Sequence, residues 1–209
     1  MSVSPAAILD AGLRDLRLDL PGDTRRRLLA YQDELIKWNA AYNLTAIRDP
    51  AEMVVKHLLD SLAVLPLVHG RVLDVGAGAG LPGLVLAIAE PSLAVTTLDS
   101  NGKKARFMRH AARSLGLANV AVVEGRVESY APDLGFDCIV SRAFASLADF
   151  FDKTAHLLAA GGVWVAMKGK LDDQEIAGIP ANVGIRETRR LRVPGLNEDR
   201  HAVIATLKK

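Results

Sequence analysis

Apolar residues recur at three- and four-residue spacing in the first third of the chain and gather into short unbroken runs after it. Leu28, Tyr31, Leu35, Trp38 and Tyr42 form one stripe, as the buried face of a helix requires. That helix is predicted to open on a capping Asp23 and run to about Ala41. Asp49-Pro50-Ala51-Glu52 announces a second: a capping acid, proline at the first helical position and glutamate three residues after the cap. It is predicted to reach about Leu65.

From Arg71 the period changes. Arg71–Val75, Ala94–Leu98, Val120–Val123, Asp137–Val140 and Val163–Met167 read as buried strands, and Leu84–Ala89, Lys103–Leu115 and Leu147–Leu158 as helices between them. Apolar strands alternating with helices imply a mostly parallel sheet covered on both faces. Two further strands, Ile185–Val193 and Ala202–Leu207, are predicted to close the sheet edge as a hairpin around Pro194-Gly195. The expected fold is α/β and Rossmann-like, with a mostly parallel seven-stranded sheet and an N-terminal helical extension. One domain is expected over residues 1–209, divided into an extension (1–68) and a core (69–209). The first twenty residues and residues 171–209 receive no functional role.

Composition narrows the class. The chain has 209 residues, 50% hydrophobic and 24% charged, with a net charge of +2, so binding to nucleic acid has to rest on local clusters. Three exist: Arg25-Arg26-Arg27; Lys103, Arg106, His110 and Arg113 on one helix face; and Arg186, Arg189, Arg190 and Arg192. Each has a plain alternative as a solvated face. Cys138 is the single cysteine, which excludes an internal disulfide and a cysteine metal cluster. Met1–Leu20 lacks an apolar signal core, and the nearly uncharged run Val75–Ala89 is broken by glycines and Pro82. A cytoplasmic monomer with no metal and no membrane partner is expected.

The candidate chemistry centres on Asp74-Val75-Gly76-Ala77-Gly78-Ala79-Gly80-Leu81-Pro82-Gly83, a strand end, a glycine turn and a helix start. Glycines permit positive φ and close approach of a ligand to the backbone, at the strand ends where such sheets bind ligands. The Gly-x-Gly-x-Gly spacing differs from the dinucleotide spacing Gly-x-Gly-x-x-Gly and favours S-adenosylmethionine over NAD. Asp74 can orient the loop and receive the amino acid part of a zwitterionic ligand, directly or through water. Asp99 ends the second strand, where a carboxylate can accept hydrogen bonds from both ribose hydroxyls. Val127 and Glu128 follow the third strand; a backbone amide and a carboxylate there suit an adenine edge, or Glu128 is a helix-start acid.

The fourth strand ends at Ser141-Arg142-Ala143-Phe144, facing the transfer site of a doubly wound enzyme. The Asn/Asp-Pro-Pro-aromatic turn of adenine-amine methylation is absent, and Cys138 lies inside an apolar strand, too deep for a C5-pyrimidine nucleophile. Guanine N7 needs neither device, because its in-plane lone pair attacks without losing a proton and asks mainly for alignment. Arg142 and Lys168 have the donors to address guanine O6 and N7; a phosphate contact or a structural ion pair is the alternative for both. His57, Asp60 and Ser61 share a helix face, as a polar patch over the site or an internal hydrogen-bonded pair. Tyr42-Asn43-Leu44-Thr45 joins the two helices and is a further candidate, with a loop hydrogen bond as its plain reading.

These residues resemble a known family. Trp38-Asn39 with Asn43-Leu44-Thr45, His57-Leu58-Leu59-Asp60-Ser61, the glycine loop, Leu98-Asp99-Ser100 with Lys103-Lys104, Ser141–Leu147 and Lys168-Gly169 are similar to the small-subunit (16S) ribosomal RNA guanine-N7 methyltransferases. This is the RsmG family, also called glucose-inhibited division protein B. The resemblance runs from about Leu28 to Gly169 and implies a class I S-adenosylmethionine-dependent methyltransferase fold. It implies methyl transfer to N7 of a guanine near the decoding site, with the rRNA or the 30S particle as partner. Carried over by position, Gly76, Leu81, Val127, Glu128 and Arg142 contact the cofactor, with Asp99 at the ribose and Asp74 and Gly78 in the same loop system. Asn43, His57, Lys103, Arg106 and Lys168 are the candidate RNA contacts. A protein or small-molecule methyltransferase and a non-catalytic nucleotide-binding module stay open as alternatives.

Overall fold

The computed structural model describes residues 3–142 and 144–208. Five strands run parallel: β1 (Arg71–Val75), β2 (Ala94–Asp99), β3 (Val120–Glu124), β4 (Phe136–Ser141) and β5 (Leu158–Lys168). β6 (Val183–Arg190) and β7 (His201–Leu207) form the expected hairpin, and β7 pairs antiparallel with β5. The sheet order is β3-β2-β1-β4-β5-β7-β6. β5 begins five residues earlier than predicted, at Leu158. Gly161 and Gly162, between the predicted helix and strand, lie inside it: Gly161 has φ +79° and a Cβ on Gly162 would stand 2.8 Å from the Phe136 carbonyl oxygen on β4.

The helices are α1 (Pro5–Leu16), α2 (Gly22–Tyr42), α3 (Pro50–Met53), α4 (Asp60–Leu62), α5 (Gly83–Ala89), α6 (Gly102–Ser114), α7 (Leu147–Thr154) and α8 (Asp173–Ala177). α1 is an addition to the predicted elements, though its start is written in the chain: Ser4 Oγ accepts the Ala7 N–H at 3.2 Å and Pro5 follows. Asp23 does not cap α2. Pro21 precedes the helix, and Asp23 sits in the first turn, paired with Arg26 and Arg27. The helix predicted from Pro50 is capped by Asp49 as expected, but Val54–Leu59 is π-helical and α4 stops at Leu62. Pro66 disfavours helical backbone at Leu65, so only a short 3-10 turn, Leu65–Leu67, follows.

Strand alternation divides the core. Val72, Cys138, Val140, Val163 and Val165 point to the face that carries α5. Leu73, Ile139 and Trp164 point to the other, under Phe150 and Phe151 of α7. α5 is buried all round because Leu86 and Ala87 meet the sheet while Leu84, Val85 and Ile88 meet the N-terminal helices. α2 thus lies across α5 and α6, with His110 Nε2 2.7 Å from Glu34 Oε2 and the His110 ring tilted against Trp38 at 4.9 Å between centroids.

Candidate functional site

The turn after β1 carries three glycines at positive φ: Gly76 (+68°), Gly78 (+61°) and Gly80 (+87°). A Cβ on Gly76 would meet nothing within 4 Å, so the space above it is open. The turn is held from three sides. Its Gly76 and Ala77 N–H groups donate to the Leu98 carbonyl, and Gly78 N–H donates to Asp99 Oδ2 at 2.8 Å. Tyr31 of α2 donates its hydroxyl to the Ala79 carbonyl at 2.7 Å, so the N-terminal helices brace the loop. Burial drives the Tyr31 pKa above the ordinary 10, which keeps that donor in place.

Asp74 is fully buried at the end of β1, and its Oδ2 accepts the Gly83 N–H at 2.7 Å. It orients the loop, as expected. A would-be Gly83 Cβ would stand only 2.8 Å from Oδ2, so that oxygen is closed in by the start of α5. Asp74 Oδ1 has no hydrogen-bond partner, and burial pushes the carboxyl pKa up to about 7 against the opposing Gly83 bond and Arg142 charge.

A cavity of about 190 Å³ opens at the carboxyl ends of β1, β2 and β3. Gly76, Asp99, Ser100, Val127, Glu128 and Phe144 contribute to its wall. Asp99 also accepts the Asn101 N–H at 2.8 Å on Oδ1, so each oxygen makes one backbone bond and keeps a second lone pair. Glu128 is exposed and 3.9 Å from Lys153 Nζ. Leu81 is 3% exposed, packs in the core under α2, and is not brought to this wall.

A second cavity, about 340 Å³, lies where β4 and β5 end against the π-helical segment. His57, Asp60, Arg142, Lys168 and Arg200 line it. Arg142 Nη1 donates to the Lys56 carbonyl at 2.9 Å and to Asp60 Oδ2 at 3.4 Å; Arg200 Nε donates to Asp60 Oδ1 at 3.2 Å. Lys168 Nζ is 2.6 Å from Glu175 Oε1. The ion-pair alternative for Arg142 and Lys168 is therefore present, but Nε and Nη2 of Arg142 make none of these contacts. His57 Nε2 is 3.0 Å from Thr45 Oγ1, which accepts the Ile47 N–H. The hydroxyl thus donates to Nε2, and Nδ1 donates to the Lys56 carbonyl at 3.0 Å. Burial, then the Arg142 charge, lowers the His57 pKa to about 4, so the ring is neutral at pH 7.

The remaining candidates scatter. Asn43 caps α2 at φ +51°, and its Oδ1 accepts Arg48 at 2.8 Å, the plain loop reading. Lys103 and Arg106 are exposed on α6, while His110 turns away from them to Glu34. Within Ser141–Leu147, Ala143 lies outside the described residues.

The family model for rRNA small subunit methyltransferase G matches residues 24–203. The chain belongs to that family. A ribosomal RNA small subunit methyltransferase G from Chromohalobacter salexigens is 57% identical over 93% of this chain and 94% of its own. One from Methylobacillus flagellatus is 51% identical, over 93% and 95%. Among solved structures, a SAM-dependent methyltransferase from Aquifex aeolicus is 19% identical, with TM-score 0.60 over 77% of this chain and 94% of that one. Another, from Geobacter sulfurreducens in complex with S-adenosyl-L-homocysteine, is 13% identical, with TM-score 0.55 over 84% and 98%. At these identities the two solved structures bear on the fold alone, which is the Rossmann-like methyltransferase fold.

Three residues of this family member went unread in the sequence. From the C-terminal forty residues Arg200 lines the second cavity and Glu175 pairs with its Lys168, and Tyr31 reaches the glycine loop from α2. Only Tyr31 carried a signal, and its helical stripe marked it for the core. Among the described residues no helix is long and apolar enough to cross a membrane.

Proposed function

We propose that the chain transfers a methyl group from S-adenosylmethionine to N7 of a guanine in small-subunit ribosomal RNA, by direct attack with positioning in place of a general base. One observation carries the mechanism: the cavity at the ends of β4 and β5 offers cations and no free base. His57 is neutral with both ring nitrogens engaged, and Asp60 is taken by two guanidiniums. Cys138 is fully buried inside β4, with its thiol pKa pushed up to about 12 by burial. A target that must lose a proton would be poorly served there, and guanine N7 loses none.

The chain fits the cofactor. Open space above Gly76 and Gly78 admits a ligand against the backbone, and Asp99 keeps lone pairs for ribose hydroxyls beside Val127 and Glu128. S-adenosylmethionine supplies an electrophilic methyl group on a sulfonium. Arg142, on the wall of the second cavity, orients the guanine through its open guanidinium nitrogens, with Lys168 on the same wall. Asp60 is a positioning residue that fixes Arg142 and Arg200 together.

Labelled methyl transfer from S-adenosylmethionine to small-subunit particles lacking the modification tests the reaction. Digestion is expected to return 7-methylguanine from one position. Label in a ribosomal protein, or none with the cofactor bound, would overturn it. Asp60→Ala is expected to cut the transfer rate at least tenfold while S-adenosylmethionine affinity by calorimetry stays unchanged. It should also lower stability by about 3 kcal/mol, the low end for breaking a buried pair, because both guanidiniums keep a solvent-facing side. A normal rate would remove Asp60 from this role.

A further inference from the structure

The three basic clusters differ in how their charges are spent. Arg25, Arg26 and Arg27 each lie within 3.3 Å of a carboxylate of Asp10 or Asp23. On β6, Arg189 is clasped by Glu187 and Arg190 lies 2.8 Å from Asp199. Helix α6 instead carries Lys103, Lys104, Arg106, Arg109 and Arg113 and no acidic residue. Lys103, Arg106, Arg109 and Arg113 are all exposed, and their spacing sets them in one stripe. Arg109 is 3.2 Å from Glu124; among the described residues no carboxylate pairs with Lys103, Arg106 or Arg113. Lysines in the first turn oppose the helix dipole at about 0.3–1 kcal/mol each, so this placement does not serve the stability of α6.

The stripe joins two cavities. At one end Lys104 Nζ is 3.9 Å from Asp99, beside the strand-end cavity that Asp99 and Ser100 line. From Lys103, the neighbour of Lys104 and first of the stripe, ten residues or about 15 Å at the helical rise lead to Arg113, where the stripe ends at a cleft of about 590 Å³ between α6 and the edge strand β3. Ala112, Leu117, Val120 and Val122 make an apolar floor there, and Arg109 and Arg113 flank it. Cations along a track, ending at an apolar slot lined by two arginines, suit an unpaired nucleic-acid strand: phosphates on the track, a base in the slot.

We propose that the exposed face of α6 and the α6–β3 cleft dock a single-stranded segment of the substrate RNA. Lys103, Arg106 and Arg113 hold its phosphates, and one unstacked base enters the cleft. This deepens, and rests on, the RNA methyltransferase reading above.

The test is the double reversal Arg106→Glu with Arg113→Glu, compared with Arg186→Glu on β6. Kinetics use small-subunit particles lacking the methyl group; binding uses protein-free small-subunit rRNA, followed by fluorescence anisotropy. The double variant is expected to raise KM for particles at least tenfold, with kcat and S-adenosylmethionine affinity unchanged. Its slope of log affinity against log salt should flatten by about 1.4, at about 0.7 per single-strand phosphate contact. Ala118→Trp, at the exposed mouth of the cleft, should raise KM and leave that slope alone. Unchanged KM and slope in the double variant, with wild type active, would sink the docking surface and leave the reaction standing. A larger loss from Arg186→Glu would do the same in favour of β6. Loss on particles without loss on protein-free rRNA would assign α6 to a ribosomal protein and overturn the proposal. Wild type labelling no RNA would remove the reading beneath it.

Discussion

Asp99→Ala is expected to weaken S-adenosylmethionine binding by more than 100-fold. Hydrogen bonds to a charged acceptor contribute roughly 1.5–3 kcal/mol each, and two ribose hydroxyls lose theirs together, so the loss is at least about 3 kcal/mol. The structure adds a second cause. Asp99 Oδ2 holds the Gly78 N–H, so the variant also frees the middle of the glycine turn. Asp99→Asn separates the two: one carbonyl oxygen remains for a single partner, so its affinity should fall between those of alanine and wild type. Calorimetric titration reads both. An alanine variant within threefold of wild type would remove the ribose role from Asp99.

Asp74→Asn is expected to change how stability depends on pH, by about 4 kcal/mol across the window. In the folded chain the Asp74 pKa is about 7, against an ordinary 3.8. The unfolded chain therefore ionises first as pH rises, and this group's contribution, complete below pH 3.8, is lost by pH 7 at about 1.4 kcal/mol per unit. His57 slopes the other way. Its pKa falls from 6.5 to about 4 on folding, so its contribution is present above pH 6.5 and lost as pH falls toward 4. The two offset each other in the wild type. Asp74→Asn removes the first slope and leaves that of the histidine, so the variant gains on wild type steadily from pH 4 to 7. Urea unfolding at pH 4.5, 6 and 8 checks this. Parallel curves, set apart only by the fixed cost of the amide, would mean that the Asp74 pKa does not change on folding and would overturn the prediction.

The sheet was legible because its signals are local. Buried strands such as Arg71–Val75 need a short apolar run, and a helix such as α6 needs only a period and a cap, all carried by neighbours in sequence. The glycine turn and its two acids were legible for the same reason: positive φ and strand ends are properties of short segments. Where the reading failed, a distant partner decided. β5 extends through Gly161 and Gly162 because β4 lies close enough to require a glycine at 162, and Gly161 takes a φ of +79°. Asp74 was read as orienting the loop, but its position along the strand says nothing of which amide it holds, and the fold supplies that of Gly83.

By itself, then, the sequence determined the α/β class, the strand count, the glycine loop, the cofactor class and the family, each of which rests on local pattern. Only the tertiary structure decided which charges are free. Arg25–Arg27 and the α6 residues look alike as basic clusters, yet Asp10 and Asp23 neutralise the first, and among the described residues no acid pairs with Lys103, Arg106 or Arg113 of the second. Arg142 and Arg200 stand far apart in the chain and share one buried carboxylate on Asp60. Ion pairing acts over a few ångströms of space whatever the separation in sequence, so charge that is free to bind a ligand becomes visible only once the chain has folded.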